Sequence, residues 1–461
     1  MISLIPDKQL SHKFSGKYAY MYAMYPNSNF WKKSIDDTGR FLTALNNLGT
    51  YLPLEPTLLY LHYPFCERIC FFCSCHKTAG SVSNYKERPV QTLDAIIAEL
   101  DVITRHIKKN KINHNIKNIH FGGGSPTFLN NDDFKKLAQK VNELVPFEDC
   151  DEVAIEIDPR NVDLEKLQFY KDQGITRLSF GVQDFDHDVQ VAVNRVQPKE
   201  LMDRLLKSAL REEFESVSFD ILSGLPLQTK PKFLATMNNV ISYQPDRVVL
   251  LTYNHSPDVV RVQKAIKAED LPIKEEKDVF WALGAEMLIK NGYKRVGLEH
   301  FAKPEDKLYK IWQEGAFNWN MSGYSPGRGN KIIGVGPSAV SKITDDYYFQ
   351  NYIQVKTYCE NTVSSKLPIA KSTKLTFEDK IRRDVVTTLR SQLSVDFDYI
   401  SNKYSIDALS FFKKEIESLG QHVLDGIIVR DGNKIVATER GAPFVAFACM
   451  NFDAYHPQNF I

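Results

Sequence analysis

The sequence predicts an α/β protein built on a parallel sheet, and three observations carry that reading. Six short β-rich runs recur from residue 58 onward, amphipathic segments separate them, and hydrophobic residues make up 43% of the chain against 25% charged. Strands that alternate with helices in this way fold as successive βαβ units around one large core. An open or partial barrel and a doubly wound sheet satisfy the spacing equally well.

The runs are LLYLHY at 58–63, IKNIHF at 116–121, EVAIEI at 152–157, ITRLSF at 175–180, SVSFDIL at 216–222 and RVVLLT at 247–252. Between the second and third, residues 132–145 place Phe134, Leu137, Val141 and Leu144 on one helical stripe. Upstream, residues 1–55 are rich in Tyr, Lys and Asn and read as an irregular N-terminal arm. The barrel-like series fills 56–300. Residues 301–370 read as a loop region at the active site, because Gly323, Pro326, Gly327, Gly329, Gly334, Gly336 and Pro337 crowd 315–345. From 371 to 461 the chain turns helical again, at 377–393 and 408–420. A hairpin at 426–441, closed by Asp431-Gly432, suggests a winged-helix-like cap.

Length and charge narrow the function classes. The 461 residues suffice for two to four structural units. Lys and Arg number 58 against 57 Asp and Glu, a net charge of +1, which argues against a protein that grips nucleic acid through bulk charge. No apolar run approaches the ~18–20 residues a membrane span needs. Charges recur through the first twenty residues, unlike a signal peptide, so a cytoplasmic protein is expected.

The cysteines carry the first chemical signal. Of seven, Cys66, Cys70, Cys73 and Cys75 fall within ten residues, directly after the first run. A disulfide framework would spread its pairs, so four thiols this close point to a soft metal site. Cys150, Cys359 and Cys449 stand alone and read as small buried apolar residues. The spacing C-x3-C-x2-C lets three thiolates hold one [4Fe–4S] cube and leaves an iron open to nitrogen and oxygen ligands. Phe65, Phe71 and Phe72 would shield it from water. A zinc knuckle is the alternative, but no second Cys/His pair follows to close a tetrahedron. After the second run, Gly122-Gly123-Gly124-Ser125 allows close backbone approach and offers N–H groups to a charged ligand end. Glu156 and Asp158 end the third run two residues apart, on one face and toward the mouth of a barrel.

These segments carry a family resemblance. YLHYPFCERICFFCSC, HFGGGSPT, EIDPR, RLSFGVQDFD, AVNR, DILSGLP, HFAKPED and KIRRDVV resemble, in order and spacing, the oxygen-independent coproporphyrinogen III oxidase (coproporphyrinogen dehydrogenase) family of radical S-adenosylmethionine (SAM) enzymes. The resemblance spans about nine-tenths of the chain. It implies a partial (β/α)6 radical SAM barrel with an N-terminal arm and a mostly helical C-terminal domain. Cys66, Cys70 and Cys73 would ligate the cluster, and Cys75 matches a cysteine that is needed without being an iron ligand. Two SAM molecules are implied. Gly123, Gly124, Ser125, Glu156, Gln183, Arg195 and Asp220 match SAM-binding positions, and Tyr60 and Phe72 match adenine contacts. Asn254 and Val340 match less closely. The implied reaction is oxygen-independent oxidative decarboxylation of two propionates of coproporphyrinogen III to give protoporphyrinogen IX. The implied partners are this tetrapyrrole or another small molecule and a reducing donor such as flavodoxin or ferredoxin. No nucleic acid partner and no membrane span are expected, and the chain is expected to be a monomer.

Several elements depart from the family pattern. The arm stretch GKYAYMYAMYP at 16–26 has no Arg, the 320–326 loop reads NMSGYSP, and GAPFVAF at 441–447 lacks two family arginines. Lys13 and Lys17 are the arm cations expected to replace the missing charge. A same-branch radical SAM enzyme acting on another substrate, by methyl or methylene transfer or other radical chemistry, is the alternative. A haem-binding chaperone is a third reading, and the Cys-Ser-Cys ending of the cluster motif argues against it.

Overall fold

The computed structural model describes residues 10, 13–14, 22–33, 37–49, 55–80, 88–207, 209–320, 323–326, 330–362 and 366–455. Two compact units form, each from separate stretches of chain. The larger comprises Lys32–Pro272 and Gly329–Lys374; the smaller comprises Met1–Trp31, Ile273–Arg328 and Leu375–Ile461.

All six β-rich runs of the larger unit are strands: β1 (Thr57–Tyr63), β2 (Ile116–Gly123), β3 (Glu152–Ile157), β4 (Arg177–Gln183), β5 (Ser216–Ser223) and β6 (Arg247–Thr252). They pair in parallel in chain order. Helices cross between them: α1 (Arg88–Asn110), α2 (Asn131–Leu144), α3 (Leu164–Asp172), α4 (His187–Ala192), α5 (Lys199–Leu206) and α6 (Lys230–Tyr243). This is the expected partial (β/α)6 barrel. Both faces of the sheet are covered, which is why the strands read as apolar runs; in β1 every residue but Tyr60 is buried. The α2 stripe behaves as its period dictates, burying Phe134, Leu137, Ala138, Val141 and Leu144. The Asn130 side chain accepts from the Asp133 N–H to start the helix.

A seventh parallel strand, β7 (Lys331–Val335), lies on the other side of β1. Antiparallel β8 (Val340–Thr344), β9 (Tyr347–Asn351) and β10 (Ile369–Lys374) continue the sheet beyond it, and α7 (Val355–Thr362) joins the last two. The glycine-rich stretch 315–345 is therefore mostly strand rather than loop. Its glycines serve close packing: a Cβ on Gly334 would lie 2.4 Å from the Val340 carbonyl oxygen. The arm also holds more structure than expected, with a helix at Thr38–Asn46. Its apolar face is only Phe41, Ala44 and Leu45, too short for periodicity to reveal.

In the smaller unit, Ile381, Val385 and Leu389 of the helix Phe377–Gln392 pack with Phe397, Phe412, Ile427 and Phe452 in one buried core. The expected hairpin pairs Ile428–Asp431 with Lys434–Ala437, and Ser394–Asp396 adds a third strand. Asp431 pairs with Lys434, so the two turn residues are Gly432 and Asn433, one position later than the sequence suggests; Gly432 takes the left-handed φ of 57°. Among the single cysteines only Cys449 is fully buried. Cys150 and Cys359 are half-buried, correcting the expectation, because each lies on a loop or helix edge where Sγ reaches a carbonyl oxygen.

Candidate active site

Parallel strands deliver their carboxyl ends to one edge of the sheet, and the site is assembled from the loops beyond those ends. After β1 comes the cysteine loop. Cys66 and Cys70 are buried, Cys73 is half-buried and Cys75 is exposed. The loop is short of regular structure and is held by specific bonds. The Thr78 N–H donates to the Pro64 carbonyl at 2.7 Å, the Gly80 N–H to the Cys66 carbonyl at 2.8 Å, and Lys77 Nζ to the Cys73 carbonyl at 2.5 Å.

After β2 the glycines fit against this loop with no room for side chains. A Cβ on Gly123 would stand 2.6 Å from the Tyr63 carbonyl oxygen, and the φ there is +124°. A Cβ on Gly124 would lie 2.4 Å from the Pro64 oxygen and 3.1 Å from Cys66 Sγ. The Gly124 N–H donates to the Tyr63 carbonyl at 2.9 Å. Ser125 is buried, its hydroxyl 2.8 Å from Thr127 Oγ1.

Glu156 and Asp158, only two residues apart, take different partners. Glu156 lies next to β2, accepting from the Gly123 N–H at 3.2 Å and pairing with His120 Nε2 at 3.0 Å. Beyond the strand end, Asp158 accepts from Arg160 Nε at 2.9 Å and Nη2 at 2.6 Å, with Arg195 Nη2 at 3.6 Å. Burial pushes the Asp158 carboxyl up, but Arg195 and Arg160 outweigh it and hold it down at about 2. Arg195 also donates to the Gly181 carbonyl at 2.6 Å and to Cys70 Sγ at 3.3 Å, while its Nε is buried with no partner. Gly181 leaves the space for it, since a Cβ there would meet Arg195 Nη2 at 2.8 Å and Gln183 Nε2 at 3.1 Å. Gln183 ends β4 with a φ of 67°. In β5, Asp220 is pushed up to about 7 by burial and then by the charge of Glu156.

The aromatic positions flank this set. Tyr60 hydroxyl lies 3.0 Å from His62 Nδ1, and a Gly122 Cβ would meet the Tyr60 ring at 3.0 Å. Phe72 packs on a cluster of Val189, Val193, Leu222, Leu225, Tyr253 and Ile266, together with Leu251. Asn254 is exposed just past β6, its carbonyl accepting from Gln263 Nε2 at 3.4 Å. Val340 opens β8, where it packs on Gly334, the register partner of Tyr60. The geometry thus gathers Cys66, Cys70, Gly123, Gly124, Glu156, Gln183, Arg195 and Asp158. Asn254 shows no bond to any of them.

Sequence reasoning passed over three polar residues. His120 lies in the glycine motif, and its Nδ1 is 3.5 Å from Arg177 Nη2. Arg177 in turn bonds Glu152 at 2.8 Å, as does Arg247. Together with Glu156 they form a polar relay through the strand layer. Arg160 is the third. All lie inside motifs singled out for their neighbours, so the motif boundaries were the available signal.

The thiols of the cysteine loop are the donor type an iron–sulfur cluster takes, although among the described residues no group of three such side chains already stands ready to hold a metal ion. Burial first, then Cys73 and Cys70, push the Cys66 thiol up to about 12, and a cluster bound there would favour its thiolate form. The Cys75 thiol, hydrogen-bonded to Cys73, holds Cys73 down at about 6 against burial. Arg160 and Arg195 both direct N–H groups at Cys70 Sγ, as donors do around cluster thiolates.

A family model described as the radical SAM superfamily matches residues 60–240, from β1 to α6. The class is therefore that of the radical SAM enzymes, which use a [4Fe–4S] cluster and SAM. The chain is 33% identical to the oxygen-independent coproporphyrinogen III oxidase of Pseudomonas aeruginosa, over 87% of this chain and 86% of that one. It is 33% identical to that of Salmonella typhimurium, over 95% and 94%. The solved structure of coproporphyrinogen III oxidase from Escherichia coli superposes with a TM-score of 0.86 at 31% identity, covering 98% of this chain and all of that one. The chain belongs to the oxygen-independent coproporphyrinogen III oxidase family. It is an oxidoreductase of the radical SAM class that acts on a small molecule, and among the described residues no helix is long and apolar enough to cross a membrane.

Proposed function

We propose that the chain converts coproporphyrinogen III to protoporphyrinogen IX without oxygen, by oxidative decarboxylation of two propionate side chains. The observation that carries this is the convergence of Cys66, Cys70 and the Gly123-Gly124 cradle at the end of a family-specific barrel. Once bound, the cluster would supply the one-electron reduction of SAM that makes hydrogen abstraction from the propionate β-carbon possible, and an external acceptor would take the electron released with CO2 as the vinyl group forms. Cys66, Cys70 and Cys73 would hold the cluster.

This chain's residues do the binding and orienting. Arg195 offers its unpartnered Nε to a carboxylate at a buried position, where a charged hydrogen bond is strongest. Gly123 and Gly124 let the cofactor's amino acid end approach the backbone. Glu156, held by His120, and Asp220 offer carboxylates to its ammonium and ribose hydroxyls. Tyr60 and Phe72 supply flat apolar contact for adenine. Gln183 completes this set, with Asn254 and Val340 toward a second SAM molecule. Cys75 stands beside Cys73, exposed and protonated, since its hydrogen bond to Cys73 raises it well above the ordinary thiol range. It is placed to exchange a proton or hydrogen with substrate. We further propose a cytoplasmic monomer reduced by a flavodoxin or ferredoxin.

A second reading keeps the chemistry and changes the substrate. Two features favour it. Lys13, expected to meet a propionate, is 2.5 Å from Asp425. Ala442, at a position where the family pattern has Arg, is buried in the apolar core of the smaller unit. Lys17 lies outside the described residues. Coproporphyrinogen III deuterated at the propionate β-carbons separates the readings. Deuterium should appear in 5′-deoxyadenosine; deoxyadenosine formed without label would rule this substrate out.

A further inference from the structure

Arg160 follows the Asp158-Pro159 step at the end of β3. Four of its five N–H donors are committed. Nε and Nη2 hold Asp158 at 2.9 and 2.6 Å, Nη1 donates to the Asn194 carbonyl at 3.3 Å, and Nη2 donates to Cys70 Sγ at 3.4 Å. The turn it touches grips the cysteine loop from the other side. Asn194 Nδ2 donates to the Ile69 carbonyl at 2.9 Å, and the Phe71 N–H donates to the Val193 carbonyl at 3.0 Å. That turn is itself fixed, because buried Gln190 bonds the Asp184 carbonyl at 2.9 Å and the Gln197 carbonyl at 3.1 Å. Cys70 is thus the sulfur on which a rigid scaffold aims a guanidinium that is otherwise occupied. Arg195, the second donor to Cys70, still has a free Nε for ligand; Arg160 has both its Nε and Nη2 donors taken.

We infer that Arg160 is a positioning residue for the iron–sulfur cluster and raises its reduction potential through the N–H···S bond to Cys70. This rests on the reading of Cys66, Cys70 and Cys73 as cluster ligands. A charge-assisted hydrogen bond withdraws electron density from a thiolate ligand, and so stabilises the cluster form that carries the extra electron. Asp158, which Arg195 also faces, offsets much of the Arg160 charge, and the lysine variant, which keeps that charge, separates the bond from the field. The potential matters because an electron must be available to a cofactor that is hard to reduce.

The test compares the parent chain with Arg160→Gln and Arg160→Lys after anaerobic reconstitution. Iron and sulfide are counted, the reduced fraction is read by electron paramagnetic resonance at poised potentials, and the Fe–S(Cys) stretch is read by resonance Raman. The glutamine variant should hold four irons, show a smaller reduced fraction at each poised potential, and shift the stretch to higher frequency. The lysine variant should fall between it and the parent. Four irons with an unchanged potential would overturn the proposal. If the glutamine variant fails to assemble, the lysine variant decides: a parental potential and stretch overturn the proposal, and a lowered potential upholds it. A parent chain that assembles no cluster overturns the underlying ligand assignment instead.

Discussion

At the scale of single residues, the proposed site divides the cluster motif into three thiols that would bind iron and one that would not. Replacing Cys66, Cys70 or Cys73 by Ala should each abolish or cripple the iron chromophore, because three thiolates are the minimum for a site-differentiated cube. Cys75→Ala should keep its iron and lose turnover. Iron and sulfide assays on the four variants check this, and full iron in Cys66→Ala would contradict it. The glycine cradle makes a second prediction. A Cβ on Gly124 stands 2.4 Å from the Pro64 carbonyl oxygen, backbone that cannot swing aside. Gly124→Ala should weaken SAM on the order of tenfold, about 1.4 kcal/mol. Calorimetry on the reconstituted protein measures it, and parental affinity would show that the close approach is not needed. Cysteines and glycines were legible in the sequence because spacing alone defines them. Arg160 and His120 were not, since their roles come from Cys70 and Glu156, ninety and thirty-six residues away along the chain.

At the scale of elements, α1 is tied to the strands beyond β7 by one buried acid. Glu99 Oε2 accepts from the Gly336 N–H at 2.9 Å and the Tyr358 hydroxyl at 2.6 Å, and Oε1 accepts from Asn351 Nδ2 at 2.7 Å. This fixes the turn between β7 and β8, and with it Val340. Burial raises the Glu99 carboxyl from 4.5 to about 7, against the three hydrogen bonds that lower it. The folded state therefore holds the proton more tightly than the unfolded one. Its contribution to stability is fully present below pH 4.5 and lost as the pH climbs through 7, at no more than about 1.4 kcal/mol per unit. Glu99→Gln should remove that slope. It should also cost about 1–3 kcal/mol at pH 5, because an amide N–H2 then faces a donor. Urea midpoints at pH 5 and 7.5 test it, and parallel profiles for variant and parent would contradict it. The six parallel strands were legible because burial on both faces writes apolar runs into the sequence. β7 was not, because Gly334 interrupts its run and Gly336 follows it directly, for reasons of packing that only the folded sheet reveals. The short helix at 38–46 was hidden for lack of periods.

At the scale of the whole molecule, a family barrel with its cysteine loop and cofactor cradle intact coexists with altered elements elsewhere. Binding four propionates in a desolvated pocket requires cationic partners, since an unpaired buried charge is costly. Lys13 is engaged by Asp425, and Ala442 is a core residue. The radical machinery is thus read more directly from this chain than the substrate is. A cube with one open iron reacts with oxygen, so iron content and activity should fall together on exposure to air; activity that persists in air with iron unchanged would contradict a radical mechanism. The most direct test of the central claim is anaerobic incubation of the reconstituted chain with SAM, a low-potential reductant and coproporphyrinogen III, read by mass spectrometry. The expected product is lighter by two successive losses of carbon dioxide, each accompanied by loss of two hydrogens, the β-hydrogen and the carboxyl proton. SAM cleavage to methionine and 5′-deoxyadenosine with coproporphyrinogen III recovered unchanged would contradict it.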